Sequence, residues 1–351
     1  MTTSPQSEKH PDPQGDPVMT TTLTDRTMRA VLQHRYGTAE VLQLGRVPRP
    51  VIGDHDVLVE VHAAGLDRGT EHLITGKPYA MRLAFGMTRP RNPIPGRDVA
   101  GTVVDIGAAV TRFAVGDDVY GVAPGAFAEY AVARESRLAL KPANLSFTQA
   151  AVVPVSAATA LRALVDVGHV QTGQSVLVVG ASGGVGTYAV QLAKAFGAEV
   201  TGVCSTAKTD LVASLGADHV IDYTHDDFAD GSRRYDLILD IAGNPSLKRL
   251  RRALQPRGTA VFVGGEDAGV VTGMGRQLRG LLLSLFLRQR LALLVAQERG
   301  SDYDRLTDLI EAGQLVPTID RTYPLEDAPL AVRQLEAGHV RGKVAITVDR
   351  C

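Results

Sequence analysis

Alternation dominates the first part of the chain. "DVLVEVHAAGL" (Asp56 to Leu66) switches between apolar and polar positions as a half-buried strand does. "VAGTVVDIGAAVTRFAVGDDVYGV" breaks into short strands at glycine and Asp-Asp turns, and "AFAEYAVAR" adds another strand. Together these predict a compact β-barrel-like unit. From about Ala158 the rhythm becomes strand–helix–strand. "SVLVV" (Ser175 to Val179) reads as a buried strand, and Thr187 to Gly197 as a helix. Val190, Leu192, Ala193 and Phe196 have helical spacing, with Gly197 as the C-terminal cap. Strand "EVTGV", helix "DLVASLG" and strands "HVIDY", "YDLILDI" and "TAVFVGG" follow. This order predicts a parallel sheet with helices on both faces, an α/β domain. Near Leu315 the pattern shifts again, and "KVAITV" (Lys343 to Val348) is expected to pair back into the first unit.

These changes of rhythm divide the chain into a polar, proline-rich tail (1–27), a first domain from residues 28–157 and 316–351, and a central domain (158–315). The tail has no apolar signal-peptide core and is expected to be disordered. One strongly apolar run, Leu278 to Gln297, is interrupted by Arg279, Arg288 and Arg290, which argues against a membrane span. It is expected to be a buried helix followed by a strand, with an interfacial anchor as the alternative.

Composition changes this picture little. With 351 residues, 44% hydrophobic, and a net charge of −1, the chain has material for two cores and no field to attract nucleic acid. Its two cysteines, Cys204 and Cys351, exclude a disulfide framework or a multi-cysteine zinc site, and a reducing cytosol fits best.

The strongest chemical signal is "VLVVGASGGVGTYAVQLAKAFGAEV", set between a buried strand and an amphipathic helix. A dinucleotide pyrophosphate requires a tight turn, close backbone approach and a helix N-terminus. Ala181, Ser182, Gly183, Gly184, Val185 and Gly186 supply them, with alanine at the first position of the usual glycine pattern. The residue that holds the adenosine ribose is expected roughly 20 residues further on, where NAD-binding chains carry an acid. Here "VTGVCSTAK" has Ser205, Thr206 and Lys208 instead. Hydroxyl donors and a cation suit a 2′-phosphate, and the missing acid removes its repulsion, so NADP(H) is the expected cofactor.

With these motifs the chain resembles the medium-chain dehydrogenase/reductase superfamily, in particular its zinc-free quinone-reductase (zeta-crystallin-like) branch. The likeness is carried by "PGRDVAGTVVDIGAAVTRFAVGDDVYG", "GAFAEYAV", "PVSAATALRAL", "GASGGVGTYAVQLAKAFGA", "LGADHVIDY" and "RGKVAITV". It implies a GroES-like β domain built from both chain ends, a central Rossmann domain, and an active site in the cleft between them. It also implies roles for single residues: Tyr223 beside the adenosine, Thr159 against the nicotinamide, Val263 and Gly264 running past it, and Lys343 as a phosphate contact.

Zinc-dependent members of that superfamily hold the metal with two cysteines and a His-Glu pair. Here Leu66–Asp67, Arg97–Asp98 and Val155 stand in those places, so no metal is expected, and Arg97–Asp98 is expected to form an ion pair bracing a turn. Without a Lewis acid the fitting acceptors are quinones and α,β-unsaturated carbonyls, whose conjugation spreads the developing charge. The expected activity is NADPH-dependent reduction of such an apolar acceptor. An NADP-dependent alcohol or aldehyde dehydrogenase, or a non-catalytic NADPH-binding regulatory protein, are the alternatives. Asp67, Thr70, His72 and Tyr79, in "GLDRGTEHLITGKPYAMR", are the polar candidates on the acceptor side. The stretch around Leu281 to Leu294 would form an apolar wall of the pocket or a homodimer interface.

Overall fold

The computed structural model describes residues 2, 27–264, 274–295 and 297–349. The expected tail lies outside these apart from Thr2 and Thr27, and Thr27 already begins the first strand.

Strand β1 (Thr27–Gln33) pairs antiparallel with β2 (Leu42–Pro48). The alternating stretch becomes β3 (Asp56–Leu66), which buries Val57, Val59 and Val61 on one face as its period of two requires. β4 (Asp98–Ile106), β5 (Asp118–Val122), β6 (Tyr130–Arg134) and β7 (Leu138–Leu140) follow around it. The central domain contributes β8 (Ser175–Val179), β9 (Glu199–Cys204), β10 (His219–Asp222), β11 (Tyr235–Asp240), β12 (Leu254–Phe262) and β13 (Arg290–Leu293). The chain closes with β14 (Ile319–Pro324) and β15 (Lys343–Thr347).

Two main sheets result. One is six-stranded and parallel, in the order β10-β9-β8-β11-β12-β13. That order reverses direction between β8 and β11, where a doubly wound sheet opens a crevice at the carboxyl ends of its strands. The other is seven-stranded, β14-β15-β3-β4-β5-β7 with β6 also on β3. β15 lies antiparallel to β3, Val344 opposite Leu66, so this sheet takes strands from both ends of the chain.

In chain order the helices are α1 (Arg68–Thr75), α2 (Arg82–Phe85), α3 (Phe147–Ala151), α4 (Pro154–Arg162), α5 (Gly184–Ala195), α6 (Thr209–Ser214), α7 (Leu247–Ala253), α8 (Gly275–Ser284), α9 (Gly300–Glu311) and α10 (Ala328–Glu336). α5 starts at Gly184, three residues before the expected Thr187, because its first turn belongs to the glycine-rich loop itself. One buried apolar cluster runs from Ala63, Ala100 and Tyr120 of the mixed sheet through α4 to Val176 and Val178 of the parallel sheet. Tyr120 Oη donates to the Tyr303 carbonyl at 2.7 Å, so the two sheets share packed and hydrogen-bonded contacts.

The apolar run does form a helix and a strand, α8 and β13, but the helix is not buried as its composition suggests. Leu278 and Leu282 are more than half exposed, while Gln277 and Gly280 face inward. Among the described residues no helix is long and apolar enough to cross a membrane.

Candidate cofactor and active site

The glycine loop joins the end of β8 to α5 at the crevice. Gly180 takes φ +88°, a left-handed conformation that glycine adopts without strain. A Cβ on Gly186 would stand 2.1 Å from the Gly180 carbonyl oxygen, so the turn closes this tightly only with glycine there. Gly183 differs. An added Cβ would meet nothing nearer than the same oxygen at 3.6 Å, which leaves its outer side open. Gly183 is also the N-cap of α5, with no side chain satisfying the first-turn N–H groups. Open space before uncapped amides at the start of a twelve-residue helix fits a pyrophosphate. Ala181, fully buried, donates its N–H to Val203 and packs under the loop, so the methyl in place of glycine faces the protein interior.

At the end of β9, Ser205 and Lys208 are half-buried and Thr206 is exposed. Lys208 Nζ donates to the Val340 carbonyl at 2.9 Å, across from the C-terminal part of the chain. Burial, with Arg341 nearby and Asp320 opposing, holds Lys208 below the usual lysine range. Two neighbours were not legible in the sequence. Arg341 donates to the Ala207 carbonyl at 3.2 Å and pairs with Asp210, adding a second cation to this turn. Asp222, last in β10, accepts from Thr224 Oγ1 at 2.7 Å, and Thr206 shares a hydrogen bond with that same hydroxyl. The acid missing from β9 is thus present on the adjacent strand, with its charge engaged by threonines. Tyr223 follows it and is 61% exposed. Cys204 is buried, and burial pushes its thiol up to about 11, which leaves it unreactive.

The positions that correspond to zinc ligands do converge. Asp98 is fully buried; its Oδ1 accepts from the Val155 N–H at 2.9 Å. Gly65 opposite must lack a side chain, since a Cβ would fall 2.4 Å from the Ala151 carbonyl oxygen and 2.9 Å from Asp98 Oδ2. Lys343, 1% exposed, brings its ammonium to Ser156 Oγ at 2.9 Å and Asp98 Oδ2 at 3.4 Å. Asp67 Oδ2 lies 4.0 Å from the same nitrogen. Two carboxylates therefore share one buried ammonium. Burial pushes the Asp98 carboxyl up to about 7, the ammonium draws it down, and Asp67 raises it. Arg97 does not pair with Asp98, contrary to expectation. It turns outward to Glu298, because the buried partner comes from β15.

This donor set does not fit zinc. The centre of the would-be coordination sphere holds a lysine cation, Val155 has no ligating atom, and no group of three or more metal-ligating side chains occurs among the described residues.

The remaining candidates scatter. Asp67 Oδ1 caps α1 by accepting from Thr70 N, which explains why a helix starts there. Thr70 is fully buried and its hydroxyl has no hydrogen-bond partner among the described residues. His72 is half-buried in the last turn of α1, and Tyr79 is 45% exposed with its ring against the Arg82 guanidinium at 4.6 Å. Thr159 Oγ1 donates back to the Val155 carbonyl at 2.6 Å. Val263 and Gly264 donate their N–H groups to Asp240 at the carboxyl end of β11, so this backbone borders the crevice. Lys343 reaches the loop as well: a Cβ on Gly184 would stand 3.0 Å from its Cδ, and Gly342 donates to the Ser182 carbonyl.

A glycine-lined helix start in a parallel sheet, beside a β domain made from both chain ends, is the arrangement of the medium-chain dehydrogenase/reductase superfamily, and the chain belongs to it. Residues 53–143 match the alcohol dehydrogenase GroES-like domain family and residues 215–346 the zinc-binding dehydrogenase family. Within the superfamily it falls in the quinone-oxidoreductase branch. A mitochondrial NAD(P)H oxidoreductase of Mus musculus is 32% identical, covering 96% of this chain and 93% of the relative. The 2-methylene-furan-3-one reductase of Solanum lycopersicum is 34% identical over 91% of this chain and 79% of its own. The solved quinone oxidoreductase from Coxiella burnetii superposes with a TM-score of 0.81 at 29% identity, covering 92% of this chain and all of that one.

Proposed function

We propose that this protein is a zinc-independent, NADPH-dependent reductase of quinones or α,β-unsaturated carbonyls. The observation that carries the reading is the open, uncapped glycine loop, with Ser205, Lys208 and Arg341 where a ribose-binding acid would exclude a 2′-phosphate. The names of the relatives, an NAD(P)H oxidoreductase and a 2-methylene-furan-3-one reductase, point the same way.

NADPH, when bound, supplies the hydride. The chain's part is to hold it: Gly183, Gly184, Val185 and Gly186 at the pyrophosphate; Ser205, Thr206, Lys208 and Arg341 at the 2′-phosphate; Tyr223 against the adenine; Thr159, Val263 and Gly264 along the nicotinamide. Lys343 acts from beneath, fixing Ser156 and the loop from the other domain. The acceptor gains a proton as well as the hydride. His72 and Tyr79 border that side of the cleft, and we assign the proton to solvent. A conjugated acceptor suits a site whose buried cation is already neutralised by carboxylates and offers no Lewis acid to a simple ketone. A cytosolic setting belongs to the same proposal and rests on cysteine usage alone.

The test is a titration of the full chain with NADPH and NADH, followed by turnover with quinones, enones and simple alcohols in the presence and absence of a chelator. Tighter NADPH binding and chelator-insensitive reduction of conjugated acceptors are expected. Preference for NADH would overturn the 2′-phosphate assignment, and chelator-sensitive oxidation of a plain alcohol would overturn the metal-free chemistry.

A further inference from the structure

Arg97 is a charged residue that the chemistry above leaves unused. It stands one residue before the buried Asp98, at the first of the two positions where zinc-dependent relatives carry histidine and glutamate. Asp98 holds the Val155 N–H, and the Val155 carbonyl accepts from Thr159, the residue assigned to the nicotinamide. The backbone of Arg97 is thus tied closely to the nicotinamide end of the crevice. Its side chain runs from the first domain to Glu298, on the segment that joins β13 to α9. That segment is anchored in turn by α4: Arg162 Nη1 donates to the Gln297 carbonyl at 2.9 Å, one turn beyond Thr159. The guanidinium therefore bridges the two domains where an acceptor stacked on the nicotinamide would lie.

The bridge uses one edge of the group only. Arg97 Nη2 pairs with Glu298 Oε1, and Arg137 takes the other carboxylate oxygen at 3.4 Å. Two guanidinium groups thus share one carboxylate, and one positive charge is left over. Arg97 Nη1 makes no hydrogen bond among the described residues. A side chain on Gly69 would begin 4.0 Å from that nitrogen, so glycine keeps the space before it clear. The Arg97 side chain is 28% exposed, enough to meet a ligand while its other edge is held. A charged donor fixed on one side and open on the other is suited to an oxygen that becomes anionic during reaction. The neighbouring Lys343 is not free for this, since Ser156 and two carboxylates already surround its ammonium.

We propose that Arg97 is a catalytic residue: its free Nη1–H binds the carbonyl oxygen of the acceptor and stabilises the enolate, or hydroquinone anion, that hydride transfer creates. This rests on the reductase reading above. An enone takes a hydride from NADPH at its β-carbon, which leaves NADP+. The electron pair of the C=C bond then forms the enolate, whose charge sits on oxygen. Arg97 donates a hydrogen bond to that oxygen and gives up no proton. Solvent protonates the α-carbon, and the product is the saturated carbonyl. The part a Lewis acid plays in metal-dependent reduction falls here to a hydrogen-bonding cation.

Two measurements on the full chain test this. Arg97→Gln should lower kcat for an enone about a hundredfold or more, with KM and the NADPH Kd within about threefold of wild type. The loss should be smaller for a quinone, whose reduced oxygen is the weaker base. Arg97→Lys keeps the charge without the fork and should fall between. Arg112→Gln removes a different ion pair to α9, so it controls for a lost domain contact and should match wild type. The second measurement needs neither cofactor nor turnover. 4-Nitrophenol, followed by its phenolate absorbance, should bind to wild type as the anion and at least about tenfold more weakly to Arg97→Gln. Unfolding temperatures show which variants are folded, and the lysine variant carries both comparisons if the glutamine one is not. A folded Arg97→Gln within about threefold of wild-type kcat, or one that binds nitrophenolate as wild type does, would overturn the proposal. Wild-type protein that binds nitrophenolate through Arg97 but reduces no enone or quinone would overturn the reductase reading and uphold the anion site.

Discussion

The glycine loop and the lysine pocket lie side by side, yet they are built in opposite ways. The loop is local: Gly180 to Gly186 meet one another across a single turn, and its chemistry is backbone N–H groups. The pocket is assembled from Asp67, Asp98, Ser156 and Lys343, which share no neighbourhood in the sequence, and its chemistry is buried charge. Local backbone sites are fixed by which residue can adopt the turn. Remote charge sites are fixed by which partner arrives to neutralise them. Damage to the first should affect the ligand, and damage to the second should affect the fold.

The largest effect is expected at the pocket. Lys343→Met leaves Asp98 buried without its cation, which should cost about 3–5 kcal/mol where the carboxylate is charged. Asp98→Asn combined with Lys343→Met should recover most of that loss in urea unfolding. Equal losses in the single and double variants would show that the two charges are not coupled. pH sharpens the point. Asp98 titrates near 7 in the folded chain, above the ~3.9 of an unfolded aspartate. The folded state thus binds the extra proton, and the contribution of Asp98 to stability declines as pH rises between those values. Asp98→Asn should flatten that decline.

Next comes the loop. Gly186→Val forces a side chain into the space of the Gly180 carbonyl and should cost about 1–3 kcal/mol. Its larger consequence should be loss of measurable NADPH binding by fluorescence titration. A variant that unfolds early but still binds NADPH normally would break the contrast drawn above. Smaller again, Lys208→Ala should weaken NADPH about tenfold while leaving NADH within about twofold, roughly the loss of one charge-assisted contact. The smallest changes are expected at the acceptor side. Tyr79→Phe and His72→Gln should each lower kcat by less than about threefold, whereas removing a true general acid costs about a hundredfold or more. A hundredfold loss at either one would identify it as the proton donor.

What could be read beforehand follows the same division. The alternation of β3, the succession of central strands along the chain and the glycine-rich turn before α5 are short-range patterns, and each was legible. The return of Lys343 to the first sheet was legible too, from its β-type pattern. Its ion pair was not, because nothing near residue 98 or 343 announces a partner 245 positions away. Arg97 was assigned to Asp98 by adjacency, yet it lies just before β4 and pairs with Glu298 instead. Arg341 and Asp222 were missed for a related reason: both reach the turn after β9 from neighbouring segments. Hydrophobicity located α8, but composition alone does not say which side of a helix the core occupies.

The pairing of β15 with β3 also sets an order of events during synthesis. Asp98 leaves the ribosome 245 residues ahead of its counter-charge, so the first domain cannot bury that carboxylate as an ion pair until β15 has been made. A nascent chain short of Lys343 has an incomplete sheet edge at β3 and a lone charge beside it. The β15 segment therefore acts as a completion check, and a chain truncated before it should be removed by proteolysis rather than persist as a folded, inactive form.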